Sequence, residues 1–224
     1  MQEQKINHIQ YIAIQNTYEE IEVGLYNNDQ LLGKINIHKN EASKTLLIHI
    51  EILLTLHSLK INNLSFIGVN KGPGPFTTLR TVIASVNALN FATHIPLIGV
   101  DGLYAFISEY QDTNWPVTVV MLNAFNNDVY YAIKHDDQIE TGAKNINVLL
   151  QELKSNQKIR FMGNGTKLFE TQIKETFGDL AYIPEPNPNT CSIDSVAKLA
   201  YQKWLKKEIQ EQILPLYLKD AIKK

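Results

Sequence analysis

Residues 65–100 constrain the fold of this chain more than any other stretch. "SFIGVN" reads as a short apolar strand, "KGPG" as a loop, "PFTTLRTVIASVNALNFAT" as a long helix and "IPLIGV" as a second apolar strand. A strand that leaves through a helix and returns as another strand is a β-α-β crossover, so the chain must build a sheet with helices packed on it. Upstream, "IQYIAI" at 9–14 reads as a buried strand. Ile21, Val23 and Leu25 then alternate up to Asn27-Asn28-Asp29, a hairpin turn signal that leads into "QLLGKINIH". A helix over 41–59, with Ser43 near its start, completes the order strand, strand, strand, helix, strand, helix, strand. An antiparallel hairpin followed by crossovers implies a mixed sheet.

A second unit begins after "EYQDTNW", with strands "PVTVVML" and "DVYYAI", a helix near 145–155, a strand "IRFMG", a helix running to Phe177, a strand around "LAYI" and a proline-rich loop. A final helix over 192–207 has Ser192 and Asp194 as capping residues, and "ILPLYLKD" forms an extended tail. The expected organisation is a first domain over 1–112, a second over 113–212 and a tail over 213–224. Both halves read as hairpin strands followed by alternating helices and strands, a hint of structural duplication.

The 224 residues are 44% apolar and 20% charged with a formal net charge of −2, the balance of an ordinary globular chain with no electrostatic footprint for nucleic acid. The basic residues near the C-terminus, Lys198, Lys203, Lys206, Lys207, Lys219, Lys223 and Lys224, are diluted by Glu208, Glu211 and Asp220 and read as a solvated helix face and tail. The single cysteine, Cys191, excludes an internal disulfide and a cysteine metal cluster within one chain. No apolar run approaches the ~18 residues of a membrane span, and the N-terminus lacks the pattern of a secretory leader, so the expected location is cytoplasmic with no membrane contact.

Two helices carry more apolar surface than a single domain needs. On a helical wheel, Leu46, Leu47, Ile48, Ile50, Ile52, Leu53, Leu54 and Leu56 spread far beyond one stripe, leaving only Lys44, Glu51, Thr55 and Ser58 plainly polar. The helix at 76–93 has one charge, Arg80, and repeats Ala84, Ala88 and Ala92 at a spacing that permits close helix approach. Either the second domain buries these faces or a protein partner docks on them.

"NKGPGPFTTLR" at 70–80 is the one candidate for an anion cradle. It is not a P-loop, because no Gly-Lys-Ser or Gly-Lys-Thr closes it. Pro73 and Pro75 lack N–H groups, leaving those of Gly72, Gly74, Phe76 and Thr77, the hydroxyls of Thr77 and Thr78 and the Arg80 guanidinium as the possible contacts. Pro75 suits the first helical position. The stretch therefore reads either as a rigid helix start or as a weak anion or nucleotide contact. The six histidines include no pair four residues apart, Cys191 has no nucleophile signature, and no Gly-x-Ser-x-Gly elbow occurs. No metal site or catalytic residue is expected from these patterns.

An ordered set of motifs carries a resemblance. "GPGPFTTLR", an apolar helix and "PLIGVDGL" resemble GPGSFTGLR, a helix and PLVGVSSL of the TsaB (YeaZ) family. "YIAI" is similar to that family's first strand, "NAFNNDVYYAI" to its DAR-x-x-EVYYA segment, "FMGNG" to its VGDG turn and "LPLYLKD" to its terminal P-x-YLR. The resemblance implies an α/β, actin-like fold of two ribonuclease-H-like domains, each a mixed sheet with packed helices. It also implies a part in making threonylcarbamoyladenosine beside the anticodon of tRNAs reading codons that begin with A. In that pathway TsaC makes threonylcarbamoyl-adenylate, TsaD, a metal-bearing paralogue, transfers the group, and TsaE is an ATPase that resets the complex.

TsaB is the non-catalytic member. Its implied partners are TsaD, TsaE through the TsaB–TsaD complex, and a second copy of itself, with tRNA met only indirectly. It has no cofactor of its own, and ATP or ADP at the TsaB–TsaD junction is left open. The partner interface implied on the two helices comprises Leu46, Leu47, Ile50, Leu54, Leu79, Val82, Ile83, Val86 and Leu89, some shared with the core. Gln15-Asn16 stand where the family has Asp-Thr, Asn123-Ala124-Phe125 where it has Asp-Ala-Arg, Pro75 where it has Ser and Thr78 where it has Gly. Each change removes a group that would serve nucleotide binding. The alternatives are a diverged self-associating actin-like protein with weak nucleotide binding, or an actin-like ATPase or hydrolase.

Overall fold

The computed structural model describes residues 8–219 except 111, 113 and 137, so the expectations placed on Asp220, Lys223 and Lys224 lie outside the described residues. Two compact units emerge from the packing. One contains the residues up to Lys71, Phe76–Val100 and Val196–Leu214; the other contains Gly72–Pro75, Asp101–Ser195 and the tail from Pro215.

In the first unit, β1 (Gln10–Asn16), β2 (Glu20–Asn27) and β3 (Gln30–His38) form an antiparallel meander. β4 (Phe66–Asn70) and β5 (Leu97–Val100) then add in parallel, giving the order β3-β2-β1-β4-β5. Residues alternate across the sheet with the period of two that strands impose. Ile12, Ile14, Val23, Leu25, Ile67 and Val69 face one side, where they form the core with α1 (Ala42–Leu56) and α2 (Phe76–Thr93). α1 starts after Glu41 with no side-chain cap, so Ser43 lies inside its first turn instead of capping it.

Aromatic rings hold the other side of this sheet. Tyr11 stacks on Tyr26, Phe66 and Tyr201, and Phe66 stacks on Trp204. Tyr201 and Trp204 belong to α7 (Ile193–Leu205), which is capped at its start by the Ser192 hydroxyl accepting from the Ser195 N–H at 3.1 Å. From Val196 onward α7 packs with the first unit, not with the second as the division at 112/113 and 212/213 supposes. Rings of this size need a cover, and α7 brings both aromatic residues and the small Ala200, which sits over Gly68.

The tail is bound in the same way. The Gln210 N–H donates to the Leu97 carbonyl, the Gly99 N–H donates to Gln210 Oε1, and the Asn87 amide exchanges two hydrogen bonds with the backbone of Ile213, a fully buried core residue. The outer edge of β5 is thereby paired and shielded.

The second unit repeats this topology. β6 (Val117–Asn123), β7 (Asp128–His135) and β8 (Gln138–Asn145) form a meander, followed in parallel by β9 (Ile159–Met162) and β10 (Ala181–Tyr182) in the order β10-β9-β6-β7-β8. α4 (Ile146–Glu152) and α6 (Glu170–Phe177) supply Leu149, Leu150, Ile173 and Phe177 to its core. α5 (Asn164–Leu168) follows β9 directly, and α3 (Gly102–Glu109) packs against β6 and β7. β8 and α3 were not expected from the sequence. "QIETGAKN" has no apolar alternation and is a strand because β7 pairs with it along its whole length; α3 begins where the Asp101 carboxylate accepts from the N–H groups of Leu103 and Tyr104.

Candidate functional site

α1 and α2 lie side by side on the sheet of the first unit, and each divides its apolar residues between an inner and an outer face. Leu46, Ile50 and Leu54 of α1 and Leu79, Val82, Ile83 and Val86 of α2 are buried in the chain's own core. Of the nine residues that the resemblance implies for a partner interface, these seven are thus committed to folding. Leu47 is 45% exposed, and Leu89 is half-buried against the core. The outward apolar surface is made instead by Leu47, Ile48, Ile52 and Leu56 of α1 and by Phe76, Ala84, Ala88, Phe91 and Ala92 of α2. Leu56 is 73% exposed and Phe91 85%. Wheel geometry shows too many apolar residues on these helices but not which arc meets the sheet, so Ile48, Ile52, Leu56 and Phe91 escaped the expected set.

The helix hydroxyls reinforce this character. On α2, Thr81 Oγ donates to the Thr77 carbonyl, Ser85 Oγ to the Thr81 carbonyl and Thr93 Oγ to the Leu89 carbonyl; on α1, Thr45 Oγ donates to the Glu41 carbonyl. Each of these hydroxyls is satisfied within its own helix and adds no unpaired donor to the surface.

A groove of about 480 Å³ opens beside α1. Its floor is Ile50, Leu54 and Leu89, its walls include Leu47, Leu59 and Ile61, and Glu51, Thr55 and Lys60 supply its polar groups. A cavity of this size and lining takes bulky apolar side chains.

The motif at 70–80 divides. Gly72 and Gly74 are buried, Gly72 adopts φ of 110° and its carbonyl accepts from the Gly102 N–H. Only glycine takes that φ without strain. Pro75 precedes α2 instead of occupying its first position. Thr78 is buried, Thr77 is exposed, and the exposed Arg80 holds its guanidinium 5.6 Å from the centre of the Phe76 ring.

At the end of β1, Asn16 donates to the Asn70 carbonyl at 3.2 Å and Asn70 donates to Gln15 Oε1 at 2.5 Å. Asn16 Oδ1 is buried with no hydrogen-bond partner among the described residues. Asn123 ends β6, where its Oδ1 accepts from the Phe125 N–H at 2.8 Å; Phe125 is exposed with a positive φ of 61°. These amides bond to one another and to nearby backbone, and none supplies a charge.

Among the described residues, the second unit holds one buried cation. The Arg160 guanidinium donates to the Tyr110 carbonyl, to Thr118 Oγ at 3.2 Å and to Asp112 at 3.3 Å. Burial pushes its pKa below the ordinary arginine value, and the Asp112 carboxylate opposes that shift. Nothing in the sequence marks this residue, because its partners lie more than 40 positions away. Among the described residues, no three or more His, Cys, Asp or Glu side chains gather closely enough to hold a metal ion, and no helix is long and apolar enough to cross a membrane.

Two copies of one mixed-sheet topology, with helices packed on each, define an α/β protein of the actin-like class. A Bacteroides thetaiotaomicron protein with an actin-like ATPase fold and unknown function superposes with a TM-score of 0.50 at 10% identity over 89% of this chain and 98% of that one. YeaZ from Pseudomonas aeruginosa superposes with a TM-score of 0.73 at 19% identity, covering 94% of this chain and all of that one. In sequence, 128 residues are 23% identical to the tRNA threonylcarbamoyladenosine biosynthesis protein TsaB of Escherichia coli, and 123 residues are 24% identical to TsaB of Buchnera aphidicola from Acyrthosiphon pisum. These two matches cover 57% and 54% of this chain, and in each case 55% of the relative's length. Residues 36–223 match the pattern of the family TsaD, tRNA N6-adenosine threonylcarbamoyltransferase. The chain belongs to that family, and the relatives and the solved structure it resembles carry the names TsaB and YeaZ.

Proposed function

We propose that this chain is the non-catalytic partner that supports TsaD in transferring a threonylcarbamoyl group to the adenosine beside the anticodon of tRNA. The observation that carries the proposal is the outward face of α1 and α2, where four exposed aliphatic side chains of α1 and Phe91 of α2 accompany an apolar groove. An apolar surface of this extent on a soluble domain marks a protein interface. The occupant proposed is TsaD, which as a paralogue presents helices of its own; TsaE joins through the TsaB–TsaD complex, and tRNA is met through TsaD.

A second copy of the chain takes the same face when TsaD is absent. Any ATP or ADP belongs at the junction with TsaD, since the amides of Gln15, Asn16 and Asn123 bring no charge for phosphate or metal chemistry. Complementation tests the proposal. The chain, supplied with the TsaD of its own source, is expected to restore threonylcarbamoyladenosine to tRNA in cells depleted of TsaB. A stable complex with TsaD that restores no modification would overturn the functional part.

A further inference from the structure

We infer that Lys219 is a latch: its ammonium group holds the tail on the second unit and fixes the turn between β6 and β7, so that tail and turn are released together. The latch joins two motifs that the α1 and α2 face leaves unused, "NAFNNDVYYAI" at 123–133 and "LPLYLKD" at 214–220. Lys219 Nζ lies 2.6 Å from the Asp128 carboxylate and donates to the Ala124 carbonyl at 3.3 Å, across 95 positions of sequence. The two charged side chains are only 21% and 24% exposed, which shelters the pair from the screening that weakens surface ion pairs. All of these residues belong to the second unit.

The turn needs such a brace. Phe125, Asn126 and Asn127 all adopt left-handed φ values, 61°, 55° and 60°. Asparagine takes that conformation readily, but phenylalanine there is strained and persists only where its surroundings hold it. The peptide unit between Ala124 and Phe125 starts the left-handed run, and it is gripped on both sides. Its carbonyl accepts from Lys219, and its N–H donates to Asn123 Oδ1 at 2.8 Å. Asp128 closes the turn: the Ala124 N–H donates to its carbonyl at 2.9 Å, and its own N–H donates to the Phe125 carbonyl at 3.0 Å. One ammonium group thus bridges the two ends of the turn, and Phe125 is held outward at 52% exposure. With the latch open, the tail loses its charged anchor, and the peptide that sets the Phe125 conformation loses one of its two grips.

Removing the charge tests this on the full chain. K219M keeps an apolar stem without the ammonium group, and in heteronuclear NOE measurements the backbone of Leu216–Lys219 is expected to pass from ordered to mobile. In the same variant, amide exchange at Phe125 and Asp128 is expected to quicken about tenfold while the amides of β9 keep the parent rate. D128N keeps the size of the side chain but not its charge and is expected to free the tail as well. The double variant K219M/D128N is expected to add little to either single, because both remove one interaction. K219R retains a charged donor and is expected to stay within about twofold of the parent exchange rates. A tail that stays ordered in K219M would overturn the latch. A freed tail with exchange at Phe125 and Asp128 unchanged would overturn the coupling of tail to turn, and a double variant that shows the sum of the singles would mean that Lys219 and Asp128 act apart. Each result stands whether or not the α1 face docks a partner.

Discussion

Leu46 and Leu47 are neighbours in sequence and identical in chemistry, yet the fold sends one into the core and leaves the other outside, so truncating each in turn separates folding from docking. Leu46 is 1% exposed. Removing a buried leucine side chain costs about 2–5 kcal/mol, through lost burial and the cavity left behind. Leu47 is 45% exposed. If full burial of leucine contributes about 1.5–3 kcal/mol, the buried part of Leu47 contributes about 0.8–1.7 kcal/mol to the fold as an upper bound. The exposed part is available to a partner, and covering it contributes roughly 0.7–1.4 kcal/mol, which is about three- to tenfold in affinity.

The expected results are therefore graded. L46A lowers the urea midpoint strongly, while L47A lowers it by less than half as much and weakens TsaD binding about three- to tenfold in calorimetric titration. L47D places an unpaired charge against the apolar groove and is expected to reduce binding by a hundredfold or more while the free chain stays folded. Equal loss of stability in L46A and L47A would refute the division of α1 into two faces. Undiminished TsaD binding by L47D would refute the docking surface.

Two further perturbations probe other parts of the structure. A Cβ at Gly68 would stand 2.6 Å from the Ala200 Cβ, so G68A is expected to destabilise the first unit by about 1–3 kcal/mol, and A200G alone by about 1 kcal/mol through helix propensity. The double variant G68A/A200G should lose less than the sum in chemical denaturation; strict additivity would mean that α7 does not pack there. In alkali, Tyr110, Tyr130 and Tyr131 ionise above the ordinary tyrosine value, chiefly because of burial, and Lys144 is pushed up to about 12 by its hydrogen bonds to Glu152 and Tyr131. The folded state holds these protons more tightly than the unfolded one, so their contribution is complete below pH ~10 and is lost as pH rises through the folded values. Tyrosinate absorbance is expected to show part of the ten tyrosines titrating late and in step with unfolding; a single uniform titration at the ordinary value would contradict the burial.

The strands and helices of the first unit are legible because each has its own period. Alternation marks β2, and the apolar strand, loop and helix of the crossover fix a mixed sheet before any contact is known. The motif series from "YIAI" to "LPLYLKD" likewise carries the family in local sequence. The excess of apolar residues on α1 and α2 is a matter of composition along a helix and is equally visible.

Three things were decided only by tertiary structure. The chain assigns α7 and Ile213 to the first unit because the rings of Tyr11 and Phe66 and the edge of β5 need cover, a demand that arises between residues more than 100 positions apart. β8 is a strand through pairing with β7 and not through its own residues. On α1, a helical wheel knows only relative angles. Which of Leu46 and Leu47 folds the chain and which is left for a partner depends on the direction in which the sheet lies, and the sheet is assembled from strands that the helix sequence does not contain.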